Sequence, residues 1–135
     1  MFEFENGYML LWVDESIGLM FSEWKCPVTS QEYREGNELL LAMLVDKNIQ
    51  NWIADSSRLG DISMEDQHWT LHELIPALAR TNLTKLARVS GEDTSSHAKF
   101  EQFALRAEPM YIGRIQVRQF ITYKEAADWI GEIPV

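Results

Sequence analysis

The sequence predicts a single α/β domain, a mixed open sheet with helices packed against it. Three observations lead there. Strand-like apolar runs alternate along the chain with segments of helical apolar spacing. Two Thr-x-x-Glu pairs, Thr29 with Glu32 and Thr122 with Glu125, have the spacing of capping boxes, in which each side chain satisfies an orphan backbone N–H at a helix start. The first two strand-like runs are separated only by Asp14-Glu15-Ser16, a polar stretch of the length that closes hairpins.

In chain order, residues 8–13 and 17–24 form the hairpin. A helix follows from the Thr29 cap to about Asp46, and residues 49–54 form the next strand. Ser63 with Asp66 offers a looser cap for a second helix, whose Leu71, Leu74, Ile75, Leu78 and Ala79 repeat at helical spacing on one face. Pro76 falls inside that helix and removes the N–H that would bond the His72 carbonyl, so a kink or break is expected there. Residues 83–89 read as a strand, followed by the loop Ser90-Gly91-Glu92-Asp93. Phe100, Phe103, Ala104 and Ala107 mark one face of a third helix ending near Pro109. Residues 115–121 form the last strand, and the Thr122 cap opens a final helix carrying Ala126, Trp129 and Ile130. The order is ββαβαβαβα with about five strands. Helices of this length between strands imply parallel neighbours and right-handed crossovers, with the hairpin as an antiparallel edge. No internal repeat or linker divides the chain.

Composition bounds the function. With 135 residues, 46% hydrophobic and 11% aromatic, the chain can bury a core of its own. The formal net charge of -9, from 21 acidic and 12 basic residues, repels phosphate backbones and anionic lipid, so nucleic-acid and membrane-surface partners are not expected. No apolar run approaches the roughly 20 residues a bilayer-spanning helix needs, and the start Met1-Phe2-Glu3-Phe4-Glu5 lacks a basic leader. A cytoplasmic location is expected. Cys26 is the single cysteine, which rules out an intrachain disulfide and reads as an idle thiol. The run Leu39-Leu40-Leu41-Ala42-Met43-Leu44-Val45 is apolar almost all round its helix, more than one sheet face can cover. Either a second protomer, giving a homodimer, or a flanking helix of the same chain must cover the rest.

Several side chains are candidates for chemistry. His68 and His72, four apart on the second helix, can face one metal ion, though the His-Glu-x-x-His order is absent. A hydrogen-bonded structural pair is the plainer reading. Asp55, at the carboxyl end of a central strand, shares a loop with Arg58 and Asp61 and can form a small polar site or an Asp–Arg pair that shapes the loop. His97 lies near Ser95 and Ser96 without a Gly-x-Ser-x-Gly elbow, and no Gly-rich phosphate loop occurs, so neither a hydrolase nor a nucleotide cofactor is indicated. The five tryptophans, at positions 12, 24, 52, 69 and 129, are read mainly as core. Trp12 and Trp24, on the hairpin, are the better candidates for a ligand or partner surface.

Local signatures resemble the SpoIIAA-like fold of the STAS group, the sulphate transporter and anti-sigma-factor antagonist domains. They are Trp52-Ile53-Ala54-Asp55 ending a strand, Ile62-Ser63-Met64-Glu65-Asp66 opening a helix with Trp69, and Phe120 followed by Glu125-Ala126-Ala127-Asp128-Trp129-Ile130. The chain is similar to small stand-alone bacterial SpoIIAA-like proteins without an assigned activity. In the antagonists the corresponding strand ends in Asp-Ser-Ser-Gly, with a serine that is phosphorylated to release a partner. The resemblance implies that role for Ser57, or for Ser56, in Asp55-Ser56-Ser57-Arg58. Arg58 stands where the family has Gly, and the cap appears only at Ser63, which puts the serines in a loop. Three functions are therefore expected, in descending order: a non-enzymatic regulatory or protein-binding module presenting the loop from Asp55 to Ile62; a binder of a small apolar ligand or lipid between helices; and a metal-dependent enzyme using His68 and His72.

Overall fold

A computed structural model of the chain describes residues 1–111 and 113–132. Its six-stranded sheet runs in sequential order, β1 Phe2–Glu5, β2 Met9–Asp14, β3 Leu19–Trp24, β4 Asn51–Asp55, β5 Lys85–Val89 and β6 Gln116–Phe120. The first three strands pair antiparallel and the last three join them in parallel. The α/β class with a mixed sheet stands as the sequence predicts, with one strand more. That extra strand, β1, is the alternating segment Phe2-Glu3-Phe4-Glu5, whose two phenylalanines face the core side while the glutamates face water.

The hairpin between β2 and β3 closes through a 3-10 turn, Glu15–Ile17, and Gly18 leaves it at a φ of 60°. Ile17 belongs to this turn and is exposed, so the strand begins two residues later than its apolar character suggests. Helix α1, Ser30–Asp46, carries the complete Thr29–Glu32 capping box. After β4, α2 Met64–Trp69 starts on the Ser63 cap, winds through a π turn, Thr70–Leu74, and continues as α3, Ile75–Ala79. The irregularity anticipated at Pro76 thus lies one turn earlier. In the π turn the Ile75 N–H bonds the Thr70 carbonyl, and Pro76 then sits in the first turn of α3, where a missing N–H costs little. Helix α4, Thr94–Tyr111, is started by Asp93, whose carboxylate accepts from the Ser95 and Ser96 N–H groups. It runs through Pro109 rather than ending there. Helix α5, Tyr123–Ile130, has the second complete capping box.

Crossovers of one hand that always advance in one direction across a sheet place their helices on the same face. So α1, the α2–α3 segment and α4 share one face, above Met9, Leu11, Val13, Met20, Trp24 and Trp52. Among the described residues only α5 lies on the other, where Ala126 and Trp129 cover Leu19, Phe21, Ile53, Ala87 and Val89. Alternate residues of β3 and β4 therefore enter two separate apolar clusters.

The apolar run of α1 is covered more fully by its own chain than one sheet face would allow. Leu40 and Leu44 are buried, while Leu39, Leu41 and Met43 pack against the same cluster as Phe2 and Phe4 of β1. Helix α2 flanks α1 through Asp66 and through Trp69, which meets Tyr33 at 6.1 Å, and Val45 stays 63% exposed. Gly36 explains how α1 approaches the sheet so closely. A Cβ there would lie 2.6 Å from Cη2 of Trp24 and 2.9 Å from Cε of Met9. The Met9 methyl can turn aside, but the Trp24 ring is stacked on Tyr8 at 6.1 Å and on Tyr33 at 5.8 Å and has no free direction to move. Among the described residues, no helix is long and apolar enough to cross a membrane.

Candidate functional site: a cleft between the sheet and the helices

On the three-helix face the layers do not close completely. A cleft of about 890 Å³ opens over β4, β5 and β6, near the upper end of the roughly 300–1,000 Å³ usual for small-molecule sites. Trp52, Ala54, Leu86 and Val117 form its floor, and Leu74 and Leu78 together with Phe100, Phe103 and Ala107 of α4 line its helical side. Trp24 and Tyr33 close one end, and Leu59 and Ile62, from the loop after β4, form part of the rim. Periodicity accounts for each wall: residues 52 and 54, or 86 and 88, lie on one face of a strand, and 100, 103 and 107 on one face of a helix.

The polar groups at the Tyr33 end satisfy one another. The Thr70 hydroxyl donates to the Asp66 carbonyl at 2.7 Å, so the Tyr33 hydroxyl, 2.7 Å away, donates to Thr70. Asn37 donates to the Tyr33 carbonyl at 2.9 Å. Burial pushes the Tyr33 phenol above its ordinary value; the Thr70 hydrogen bond opposes this and the nearby Asp66 charge adds to it. Asp66 itself joins α1 to α2. Its carboxylate accepts from the Ser30 hydroxyl at 2.6 Å and from Nε of Arg34 at 3.1 Å, and the Arg34 guanidinium lies 5.5 Å from the Trp69 ring. Trp52 donates from its indole nitrogen to the buried Ser22 hydroxyl at 2.9 Å, leaving only its apolar ring edge to the cleft.

Arg88 differs from these groups. It projects from β5 on the cleft side, beside Leu86, with its guanidinium 4.6 Å from the Phe100 ring centre. Its hydrogen bonds among the described residues go to neutral side chains, Oε1 of Gln119 at 2.6 Å and Oγ of Ser96 at 2.9 Å. No carboxylate among the described residues lies within ion-pair distance of it. Burial pushes its pKa down to about 10, opposed by the more distant Asp55 and Asp93, so it remains a cation at neutral pH.

The structure distributes the candidates of the sequence over different places. Asp55 accepts from the Ser57 N–H at 2.9 Å and from the Ser57 hydroxyl at 2.7 Å. It is this Asx turn, rather than an Asp–Arg pair, that shapes the loop, because Ser57 reaches the carboxylate locally with little loss of side-chain entropy. Ser56 is tied by its N–H to the Val89 carbonyl at 2.9 Å, while Ser57 and Arg58 are exposed. Both serines lie in a turn, six or more residues before the first residue of α2. Asp61 pairs with Lys99 of α4 at 2.9 Å, which links the loop to the opposite rim of the cleft.

His68 and His72 do come together, with ring centres 4.2 Å apart, and both are exposed on the outside of the helix. Among the described residues, no group of three or more His, Cys, Asp and Glu side chains is placed to hold a metal ion. His97 faces Glu101 at 3.0 Å, and the nearby Ser96 serves Arg88. The Cys26 thiol is half-buried, 3.9 Å from the Gly7 carbonyl. Of the two hairpin tryptophans, Trp24 reaches the cleft, whereas Trp12 stacks on Phe21 at 5.6 Å on the other face.

Arg88, Tyr33, Asn37 and Thr70 line the cleft and carried no motif in the sequence. One local signal pointed to Arg88: a charge in a strand of a parallel region, where apolar residues are the rule on both faces. No protein-family model, curated protein or solved structure matches this chain.

Proposed function

We propose that this protein binds a small, predominantly apolar molecule in the cleft between its sheet and helices. The observation that carries this reading is the cleft itself, about 890 Å³, walled mainly by aromatic and aliphatic side chains. A cavity of that size within an otherwise close-packed layer leaves apolar surface without contact, and an apolar occupant removes that surface from water at roughly 25 cal/mol per Å². The test uses the neutral dye Nile red, with near-UV circular dichroism as a control for native packing. Wild-type protein is expected to bind it with blue-shifted emission. Ala54→Phe, which fills the floor, is expected to weaken binding at least tenfold, an order-of-magnitude figure for a steric block. Natively packed wild-type protein that leaves the dye emission unchanged would sink the proposal.

A second reading, a cytoplasmic regulatory module of SpoIIAA-like or STAS type acting through a protein partner and paired through α1, is favoured by one observation. The Ser57 hydroxyl is exposed at the carboxyl end of β4, in a loop that forms part of the cleft rim. A phosphate there would meet the Asp55 carboxylate at once and break the Asx turn by like-charge repulsion. On this reading, pull-down from the native cell returns a specific partner whose capture weakens in Ser57→Asp. Recovery of the protein alone counts against it.

A further inference from the structure

We infer that the cleft takes a long-chain monocarboxylic acid, with Arg88 as the anchor for its carboxylate and the aromatic and aliphatic walls around its hydrocarbon chain. The inference rests on the apolar-ligand reading and deepens it from a class of surface to a class of molecule.

Arg88 has no ion-pair partner among the described residues. A guanidinium has five N–H donors in a planar fork. Among the described residues two are used, on Gln119 and Ser96, and both acceptors are neutral. Gln119 is itself held by a hydrogen bond from its amide nitrogen to the His97 carbonyl at 2.9 Å, which points its oxygen at Arg88. The Phe100 ring centre, 4.6 Å from the guanidinium carbon, is a third contact. The cation is therefore held in place by three neighbours, none of which neutralises it. Arg88 is partly buried, and a charge partly withdrawn from water without a paired opposite charge is costly, a cost that a ligand anion at that point reduces.

Charge and shape then narrow the anion. A carboxylate matches the guanidinium fork in geometry and carries a single charge. A phosphate dianion would call for a second cation. The other cationic side chains lining the cleft are Lys99, which is engaged by Asp61, and Arg106, which lies ten residues along α4 from the Ser96 that holds Arg88, roughly 15 Å of helix rise away. Asp55 and Asp93 already place negative potential near Arg88, and the whole chain carries -9. One compensating negative charge fits this setting and two do not. Beyond Arg88, Leu86, Val117 and Phe103 line the cleft with apolar surface suited to a hydrocarbon chain.

The test is displacement of Nile red by palmitic acid and by hexadecanol, which share a chain and differ in the head group. Wild-type protein is expected to bind the acid at least tenfold more tightly than the alcohol. In Arg88→Met the preference should fall to threefold or less, with hexadecanol displacing the dye as in wild type, which shows the cleft intact. Arg88→Lys keeps a cation without the fork and should fall between the two, so the comparison survives if the methionine variant fails to fold. Equal affinity of acid and alcohol in wild type, or an undiminished preference for the acid in both variants, would overturn the role of Arg88 while leaving the apolar-ligand reading in place. Failure of either compound and of the dye to bind overturns both.

Discussion

Replacing Trp129 with alanine is expected to lower stability by about 3–5 kcal/mol, the usual cost of removing a buried tryptophan. Trp129 is 5% exposed and is the largest side chain that α5 contributes to the second apolar cluster. Its ring meets Phe120 at 5.7 Å, and the Lys85 and Arg118 cations lie 5.0 Å and 5.4 Å from its centre. Lys85 also bonds the Trp129 carbonyl at 3.1 Å, satisfying one of the orphan acceptors at the helix end. An eight-residue helix is too short to persist without such anchoring. The check is a urea or guanidinium denaturation midpoint together with the helical signal in circular dichroism. A loss below about 1 kcal/mol, smaller than the ordinary cost of truncating a core aromatic, would contradict the packing described for α5. The cleft lies on the opposite face, so Nile red binding per folded molecule should be unchanged.

The second large effect is expected at Asp66, where alanine should cost about 2–3 kcal/mol. Hydrogen bonds to charged groups contribute roughly 1.5–3 kcal/mol each, but Arg34 is half-exposed and recovers part of its loss in water. The effect should depend on pH. Burial alone would raise the Asp66 pKa, yet the hydrogen bonds with Ser30, Arg34 and Ser63 and the Arg34 charge prevail and hold it below the ordinary carboxyl value. A group whose pKa is depressed by folding stabilises the folded state above its unfolded pKa, about 3.9, and loses that contribution as pH falls through the lower folded value. The difference between wild type and Asp66→Asn should therefore be full at pH 7 and shrink below about pH 4. A difference equally large at pH 7 and pH 2.5 would show that the charge is not its source.

Helix caps and strand periodicity were legible because they are local. Thr29–Glu32, Ser63 and Thr122–Glu125 act within one turn of backbone, and each cap forms where its spacing places it. The strand at Phe2–Glu5 was equally local in its alternation, but four residues are too few to stand out from a loop. Pro76 announced an irregular helix but not its form. Whether the chain kinks, breaks or inserts a π turn depends on what Thr70 and Leu74 bury, and Thr70 is drawn inward by Tyr33 from a different helix.

The candidate site divides in the same way. Asp55 and Ser57 are two residues apart and find each other, and His68 and His72, four apart on a helix, lie side by side. Arg88, Ser96, Phe100 and Gln119 are gathered from β5, α4 and β6, and no spacing along the chain marks them as neighbours. Class, strand and helix order, and the caps follow from interactions within a few residues, whose geometry the backbone dictates wherever they occur. The cleft, and the cation set into its wall, arise because three crossover helices share one sheet face without covering all of it. That gap is set by long-range packing, which local patterning does not encode.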